Sequence, residues 1–161
     1  MGLSHLDKRG AARMIDVSRK AKVRRTARAQ GKIFLQGETI RLIREGLLKK
    51  GDALAVARIA GISAAKKTWC LVPLCHNIGI ERVGIDFRIV KDGIEIESVA
   101  VCTDKTGIEM EALTAVAVAA LTLYDMCKGV DRNMKIEAIR VLGKTKEGIQ
   151  DAQAVGCRLS G

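Results

Sequence analysis

The stretch that decides the fold is KTGIEMEALTAVAVAALTLYDMCKG, which runs from Lys105 to Gly129. Its middle part, from Ala112 to Tyr124, has no charged residue, which predicts a helix that is buried on nearly every side. Thr106 and Glu109 have the spacing of a capping box at the start of this helix. Gly129 predicts a left-handed cap at its end. We therefore expect this helix to form the centre of the core.

The segments around this helix carry strand and helix patterns of their own. Four strands are predicted, in Ala27–Gly37, Val83–Ile89, Ile94–Thr103 and Met134–Leu142. Two amphipathic helices are predicted over Glu38–Lys49 and from Asp52 to about Ala65, and residues 68–79 are predicted to form a loop. This order predicts an α+β fold of the ferredoxin-like, split βαβ type, with an antiparallel sheet and helices packed on one face.

The chain has 161 residues and a formal net charge of +10, and Met1–Arg28 alone holds nine Lys or Arg and two Asp. Such a basic segment suits nucleic acid, an acidic membrane surface or a phosphate-rich small molecule. We expect a flexible basic tail over residues 1–12, a single catalytic domain over 13–146 and a loose C-terminal segment over 147–161.

The five cysteines include no C-x-x-C pair, and their odd number disfavours a complete disulfide framework. Reduced thiols of this kind are typical of the cytoplasm. No apolar run near the start resembles a signal peptide, and Ala112–Tyr124 is too short to span a bilayer. We expect a cytoplasmic protein without a membrane partner.

Asp125 and Lys128 are the first candidates for catalysis. Their spacing puts them on one face of the long helix, close to its end. A lysine in a low-dielectric site can have a lowered pKa, so the two could form a general acid/base pair. The alternative is an ordinary surface ion pair. Glu111 precedes Asp125 by fourteen residues, about 21 Å along a helix, so the two cannot form a close pair within one chain.

Other candidates lie in predicted loops. Cys75 and His76 follow Pro73, and such a pair could bind a metal, supply a thiol nucleophile or contact a ligand. His76 could instead merely satisfy a backbone carbonyl. Lys50 precedes the second helix, whose N-terminus could bind an anion. There is neither a P-loop nor a G-x-G-x-x-G motif, which excludes a standard nucleotide cradle. Together these residues indicate a phosphorylated ligand.

Several long blocks resemble a known family, the cyclic pyranopterin monophosphate synthases of molybdenum-cofactor biosynthesis. They are MIDVSRK, KGDALAVARIAGISAAKKTW, LVPLCH and DKTGIEMEALTAVAVAALTLYDMCK, and the resemblance covers roughly Arg13 to Lys144. It implies a lyase that converts 3′,8-cyclo-7,8-dihydroguanosine triphosphate into cyclic pyranopterin monophosphate and releases pyrophosphate. It also implies a hexamer built as a trimer of dimers, with active sites between subunits.

The resemblance also assigns roles to residues. Asp125 and Lys128 match the family's catalytic pair. The positions that match its substrate-binding residues are Leu74, Cys75, His76, Met110, Glu111, Lys50, Lys20, Arg25 and Lys144. It implies no resident cofactor or metal site, although a divalent cation could accompany the triphosphate, and it implies a functional link to the radical enzyme that supplies the substrate. The chain departs from the expected pattern at Val23, Asn77 and Asp104, and Asp104 adds a negative charge near the start of the long helix.

Two other functions fit this fold. A ferredoxin-like sheet with basic charge could bind RNA, but RNA-binding sheets stack bases on aromatic side chains, and the predicted hairpin offers only Phe87. A catalytically silent scaffold is the other alternative, and the presence of Asp125, Lys128, His76 and Lys50 argues against it. We therefore expect a small-molecule enzyme without a nucleic-acid partner.

Overall fold

The computed structural model describes residues 10–148. Its strands are β1 (Val23–Phe34), β2 (Ile80–Val90), β3 (Gly93–Asp104) and β4 (Lys135–Glu147). Its helices are α1 (Gly37–Arg44), α2 (Ala53–Ala65), the single turn α3 (Thr68–Leu71) and α4 (Glu109–Cys127). The predicted tail over residues 1–12 and the C-terminal segment over 147–161 fall largely outside the described residues.

The four strands form one sheet in the order β2-β3-β1-β4, and every neighbouring pair is antiparallel. Two pairs of neighbours in this order, β1 with β3 and β1 with β4, are distant in sequence, so β1 and β3 form the centre of the sheet and β2 and β4 its edges. Both inner strands bury alternate residues, as Ala27, Ala29 and Ile33 do in β1. This confirms the predicted α+β fold of the ferredoxin-like type.

Helices α2 and α4 cover one face of this sheet, and small residues let them approach closely. A Cβ atom on Gly61 of α2 would lie 2.6 Å from the carbonyl oxygen of Ala115 in α4. A Cβ atom on Gly31 of β1 would lie 2.7 Å from a methyl carbon of Val116. Ser98 of β3 donates its hydroxyl proton to the carbonyl of Ala112 at 2.7 Å. These contacts fix α4 rigidly over the two inner strands.

Both predicted caps of α4 are wrong. The helix begins at Glu109, and the preceding Ile108 makes no side-chain capping bond, so Thr106 lies outside the helix. The carboxylate of Glu109 instead accepts a hydrogen bond from Lys144 of β4 at 2.8 Å. At the other end Lys128 takes the capping position, and Gly129 is not among the glycines with positive φ.

Helix α4 is long and apolar enough, by length and composition alone, to cross a membrane. In the described part of the chain it instead lies against the sheet and α2, as the core helix of the domain. The prediction that it is buried on nearly every side is wrong for its outer face. Leu121 is 59% exposed there, and Leu113 is only partly buried.

Several further elements differ from their predicted extents, and β1 runs from Val23 to Phe34 rather than from Ala27 to Gly37. Helix α1 ends at Arg44 rather than Lys49, and the chain turns at Gly46, whose φ of +68° lies in the left-handed region that favours glycine. Residues 68–71 form a helical turn within the predicted loop. Strand β4 continues to Glu147 despite its polar sequence, because it pairs with β1 along its length, with two irregularities in register.

Candidate active site

Helix α4 carries candidate residues at both ends, and the larger group lies at its N-terminal end. There a cleft of about 390 Å³, which we call the His76 cleft, opens between the loop after α3 and the start of α4. Six of the predicted binding residues line it: Lys20, Leu74, Cys75, His76, Met110 and Glu111. Segments that are distant in sequence therefore meet at this cleft.

Glu111 is the most unusual side chain of the His76 cleft. It is only 3% exposed, and its Oε2 atom has no hydrogen-bond partner among residues 10–148. Burial raises the pKa of this carboxyl group, a bond from its own backbone partly opposes the rise, and the charge of Glu109 adds to it. A buried oxygen without a partner costs stability, so a bound ligand that donates a hydrogen bond to it would gain affinity.

Replacing Glu111 with glutamine is expected to change how stability depends on pH. Because the pKa of Glu111 is raised in the folded state, its contribution is complete below the unfolded pKa and is lost as pH rises through the folded pKa. The free energy of unfolding of the variant should therefore rise relative to that of the natural chain as pH increases from about 4 to about 8. Urea unfolding at a series of pH values measures this.

The control is Glu81→Gln, because Glu81 is an exposed carboxylate on β2. Its pH dependence should match that of the natural chain to within about 0.5 kcal/mol. If Glu111→Gln also followed the natural chain at every pH, the ionised Glu111 would have a favourable partner in the folded protein, and the raised pKa would be refuted.

A second cleft of about 470 Å³, which we call the basic cleft, adjoins the first. The two clefts share Lys20, Thr106, Gly107 and Glu109 in their walls. The basic cleft is lined by five cationic side chains, those of Lys20, Arg25, Lys105, Lys144 and Lys146. Glu109 is the one carboxylate in its lining. Several positive charges at one site suit a ligand with several phosphates.

Arg25 shapes the basic cleft through the loop between β3 and α4. Its guanidinium donates to the carbonyl oxygens of Asp104 at 3.1 Å and Lys105 at 3.2 Å. The carboxylate of Asp104 accepts from the backbone N–H of Lys105 at 2.7 Å and, across a longer 3.4 Å, from that of Gly79. Asp104, which departs from the family pattern, therefore links the loop before α4 to the loop before β2.

The C-terminal end of α4 holds a separate group, the lysine–aspartate cluster, which consists of Lys50, Asp125 and Lys128. Lys128 Nζ lies 2.7 Å from Asp125 Oδ1, and Lys50 Nζ lies 2.9 Å from Oδ2 of the same carboxylate. Lys50 also donates to the backbone carbonyl of Asp125 at 2.7 Å. The predicted anion site at the start of α2 thus gives way to a contact with α4, while Asp52 caps α2 as predicted, accepting from Ala55 N–H at 3.0 Å.

The charges in this cluster differ from those of the predicted general acid/base pair. Hydrogen bonds from Lys128 and Lys50 lower the pKa of Asp125 to about 2. The same bond to Asp125 raises the pKa of Lys128, whereas the sequence suggested a lowered pKa. In the single chain all three side chains are exposed, so low-dielectric surroundings are absent among the described residues. Asp125 here orients two ammonium groups and is a weak base at neutral pH.

The structure therefore divides the predicted site residues between the two ends of α4. Eight lie around its N-terminal end: Lys20, Arg25, Leu74, Cys75, His76, Met110, Glu111 and Lys144. Lys50, Asp125 and Lys128 lie at its C-terminal end. Both Glu111 and Asp125 belong to the continuous helix α4, whose rise separates them by about 21 Å along the axis. One chain alone does not place both groups around one small molecule.

Cys75 and His76 show no sign of the metal site or thiol nucleophile considered from the sequence. Within residues 10–148 no three His, Cys, Asp or Glu side chains are grouped as metal ligands would be. Burial, together with the charge of Glu111, raises the pKa of the Cys75 thiol. A thiol with a raised pKa is less reactive as a nucleophile. His76 Nε2 lies 2.8 Å from the backbone carbonyl oxygen of Ile15, which fits the alternative that His76 satisfies a backbone carbonyl, and contact with a ligand stays open for this pair.

Sequence reasoning missed several residues that line the clefts, among them Ile15 and Lys105, whereas Lys146 was noted only as positive charge beside Lys144. Lys105 stood within the recognised KTG block, and the charge on its side chain was the signal that could have found it. Phe87, the aromatic residue on which the RNA alternative relied, packs against the core, 5.4 Å below the guanidinium of Arg58 in α2. It is therefore not presented for stacking with bases.

The fold and these residues define an α+β domain with a basic cleft at one end of α4 and a lysine–aspartate cluster at the other. A family model described as the MoaC family matches residues 14–147. The chain belongs to this family.

Curated relatives agree with the family match. Two proteins named cyclic pyranopterin monophosphate synthase are each 54% identical to this chain. The one from Desulfitobacterium hafniense aligns over 146 residues, 90% of either chain. The one from Novosphingobium aromaticivorans aligns over 142 residues, 88% of this chain and 90% of its own. A third, from Peptoclostridium acidaminophilum, is 49% identical over 96% of this chain and the whole of its own length.

Proposed function

We propose that this chain is a cyclic pyranopterin monophosphate synthase, a lyase of molybdenum-cofactor biosynthesis. Its substrate would be (8S)-3′,8-cyclo-7,8-dihydroguanosine 5′-triphosphate, and its products cyclic pyranopterin monophosphate and pyrophosphate. The observation that carries this proposal is the identity of about half of all residues with synthases over nearly the whole chain. The basic cleft beside the His76 cleft gives that likeness a physical basis, because it offers positive charge for a triphosphate.

In this proposal the triphosphate lies in the basic cleft and the purine-derived rings lie in the His76 cleft. Lys20, Arg25 and Lys144 would contact phosphate oxygens, and Lys20 can reach either part because it lines both clefts. Glu111 would accept a hydrogen bond from an N–H group of the rings, which would give its unpaired oxygen a partner. Leu74, Cys75, His76 and Met110 would form the remaining walls of the ring site.

The chemistry requires proton transfers and one displacement at phosphorus. A hydroxyl oxygen attacks the α-phosphorus and loses its proton, and the bond from that phosphorus to the bridging oxygen of pyrophosphate breaks. Lys128 and Lys50 carry ammonium groups that could donate protons and stabilise the developing negative charge. Asp125 would hold both groups in place through its two carboxylate oxygens. A divalent cation could accompany the triphosphate as part of the substrate.

The separation of the two groups along α4 supports a site that is shared between subunits. The lysine–aspartate cluster of one subunit would meet the clefts of a second subunit, in a hexamer built as a trimer of dimers. Exposed apolar side chains on the helix layer, such as Ile59 at 65% and Leu121 at 59%, would be covered in such an assembly. We place the enzyme in the cytoplasm, where a radical enzyme would supply its substrate.

The direct test is to incubate the purified protein with the cyclo-dihydro-GTP intermediate and to measure pyrophosphate and the pterin product. Equal amounts of both products are expected, because each turnover releases one of each. Pyrophosphate without the pterin would indicate simple phosphohydrolase activity and would contradict the proposal. Tight, saturable RNA binding at physiological salt, without turnover, would favour the RNA-binding alternative.

A shared site also predicts that two inactive variants restore activity together. Lys128→Ala disables one group and Lys20→Met disables the other, so neither homo-oligomer has a complete site. In dimers mixed at random from equal amounts, about a quarter of the sites combine both intact groups. Co-expression of the two variants should therefore restore up to about a quarter of the natural turnover.

The control for this experiment is co-expression of Lys128→Ala with Asp125→Ala. These two substitutions disable the same group, so no mixture of them contains an intact lysine–aspartate cluster. That pair should remain inactive. If the pair of Lys128→Ala and Lys20→Met also remained inactive while forming mixed oligomers, each site would belong to a single chain.

A further inference from the structure

Residues 15–20 cross the His76 cleft as a compact turn that precedes β1, and we call this segment the strap. The carboxylate of Asp16 accepts a hydrogen bond from the backbone N–H of Ser18 at 2.8 Å. The backbone N–H of Lys20 donates to the carbonyl of Val17 at 3.0 Å. Ile15, Val17 and Lys20 form part of the cleft wall. The strap is therefore locally ordered, although it belongs to neither a helix nor a strand.

Two side chains of the surrounding loops hold the strap in place by hydrogen bonds to its backbone carbonyl groups. His76 Nε2 lies 2.8 Å from the carbonyl oxygen of Ile15. Because a carbonyl oxygen only accepts, this nitrogen is the one that carries a proton. Lys105 Nζ donates to the carbonyl oxygen of Ser18 at 2.8 Å. One fastening comes from the loop after α3 and the other from the loop before α4.

These contacts connect Lys105 to Lys20 through the backbone of the strap. Its ammonium group is directed to Ser18, two residues before Lys20, and Lys20 is the cationic residue that lines both clefts. Arg25 in turn holds the backbone carbonyl of Lys105. A chain of contacts therefore runs from β1 through the loop before α4 to the strap.

We propose that Lys105 is a positioning residue, which fastens the strap so that Lys20 is held where a polyphosphate bridges the two clefts. The proposal rests on the proposed function only for the identity of the polyphosphate. The competing role for Lys105 is direct contact with phosphate, since it also lines the basic cleft. The two roles differ in whether the effect of Lys105 depends on Lys20.

A double-mutant cycle separates these roles. The probe is inorganic triphosphate, and its dissociation constant is measured by calorimetry for the natural chain, Lys105→Met, Lys20→Met and the double variant. We expect Lys105→Met to weaken binding about tenfold in the natural background and less than about twofold when Lys20 is already methionine. An equal loss in both backgrounds would overturn the proposal, because Lys105 would then contact phosphate independently of Lys20.

Limited proteolysis measures how readily the strap opens, and it needs neither a ligand nor enzyme turnover. Trypsin can cleave after Arg19, which is exposed within the strap. Lys105→Met should raise the initial rate of this cleavage several-fold, because a released strap opens more often. The matched control is Lys91→Met in the β2–β3 turn, where an exposed lysine is also lost. Cleavage after Arg19 at the natural rate in Lys105→Met would overturn the proposal.

Steady-state kinetics complete the comparison. With the cyclo-dihydro-GTP substrate, Lys105→Met should raise KM about tenfold and leave kcat within about twofold, because the reacting groups are untouched. A fall in kcat with unchanged KM would contradict a positioning role. If the natural chain had no synthase activity, the proposed function would fail, yet the triphosphate cycle and the trypsin rates would still decide the role of Lys105.

Discussion

Replacing Asp125 or Lys128 with alanine is expected to lower turnover of the cyclo-dihydro-GTP substrate by at least about 100-fold while the fold is kept. Both side chains are exposed at the end of α4, so neither substitution removes packing from the core. Without Asp125, the ammonium groups of Lys50 and Lys128 lose the carboxylate that holds them together. Without Lys128, one of the two proton donors is absent.

Product formation should be followed by chromatography and pyrophosphate release, with thermal unfolding as the test of the fold. The matched control is Glu38→Gln, which breaks the exposed ion pair between Glu38 and Arg41 on α1 at the same i, i+3 spacing. It should leave turnover unchanged. Normal product formation by folded Asp125→Ala or Lys128→Ala protein would refute the assignment of these residues to catalysis.

Replacing Asp131 with alanine is expected to cost about 3 kcal/mol of stability. This carboxylate is 1% exposed and lies in the turn between α4 and β4. It accepts hydrogen bonds from the backbone N–H of Gln36 at 2.8 Å, the hydroxyl of Thr39 at 3.2 Å and the backbone N–H of Asn133 at 3.0 Å. Alanine would remove the acceptor of all three donors and leave the buried hydroxyl of Thr39 without this partner, which accounts for the size of the loss.

Equilibrium unfolding in urea at one fixed protein concentration measures this effect, because the stability of an oligomer depends on concentration. Asp86→Ala is the control, since Asp86 is an exposed aspartate on β2, and it should change the free energy of unfolding by less than about 0.5 kcal/mol. A loss of that small size for Asp131→Ala would show that the three donors find water or other partners once the carboxylate is gone.

The order and type of the main elements could be predicted because the spacing of apolar residues along the chain shows which face of each element is buried. The alternation of Val83, Ile85, Phe87 and Ile89 predicted β2, and Asp52 correctly marked the start of α2. The caps of α4 could not be predicted, because tertiary contacts compete with local ones. Glu109 bonds to Lys144, 35 residues away in sequence, rather than closing a capping box with Thr106.

The candidate site shows the same division between local and long-range information. Lys20, His76 and Glu111, which the resemblance assigned to substrate binding, line one cleft, although no spacing rule relates them. The pKa of Asp125 could not be predicted in full, because besides the hydrogen bond from Lys128 it depends on one from Lys50, which reaches Asp125 from the turn before α2. The strap could not be predicted either. The hydrogen bonds that hold it join side chains to backbone carbonyl groups, which every residue has, so they leave no pattern in the residue types.

The close packing of α4 on β1 and α2 has a mechanical consequence for an assembly with shared sites. A hydrogen-bonded helix is stiff along its axis, and the small residues at Gly31 and Gly61 leave little free space around it. In such an assembly, each copy of α4 would serve one active site with its first turn and the neighbouring active site with its last. Because the helix moves as one unit, a ligand that displaces its first turn would also move Lys128 in the adjacent site. Binding at one site of a dimer would then affect the other site.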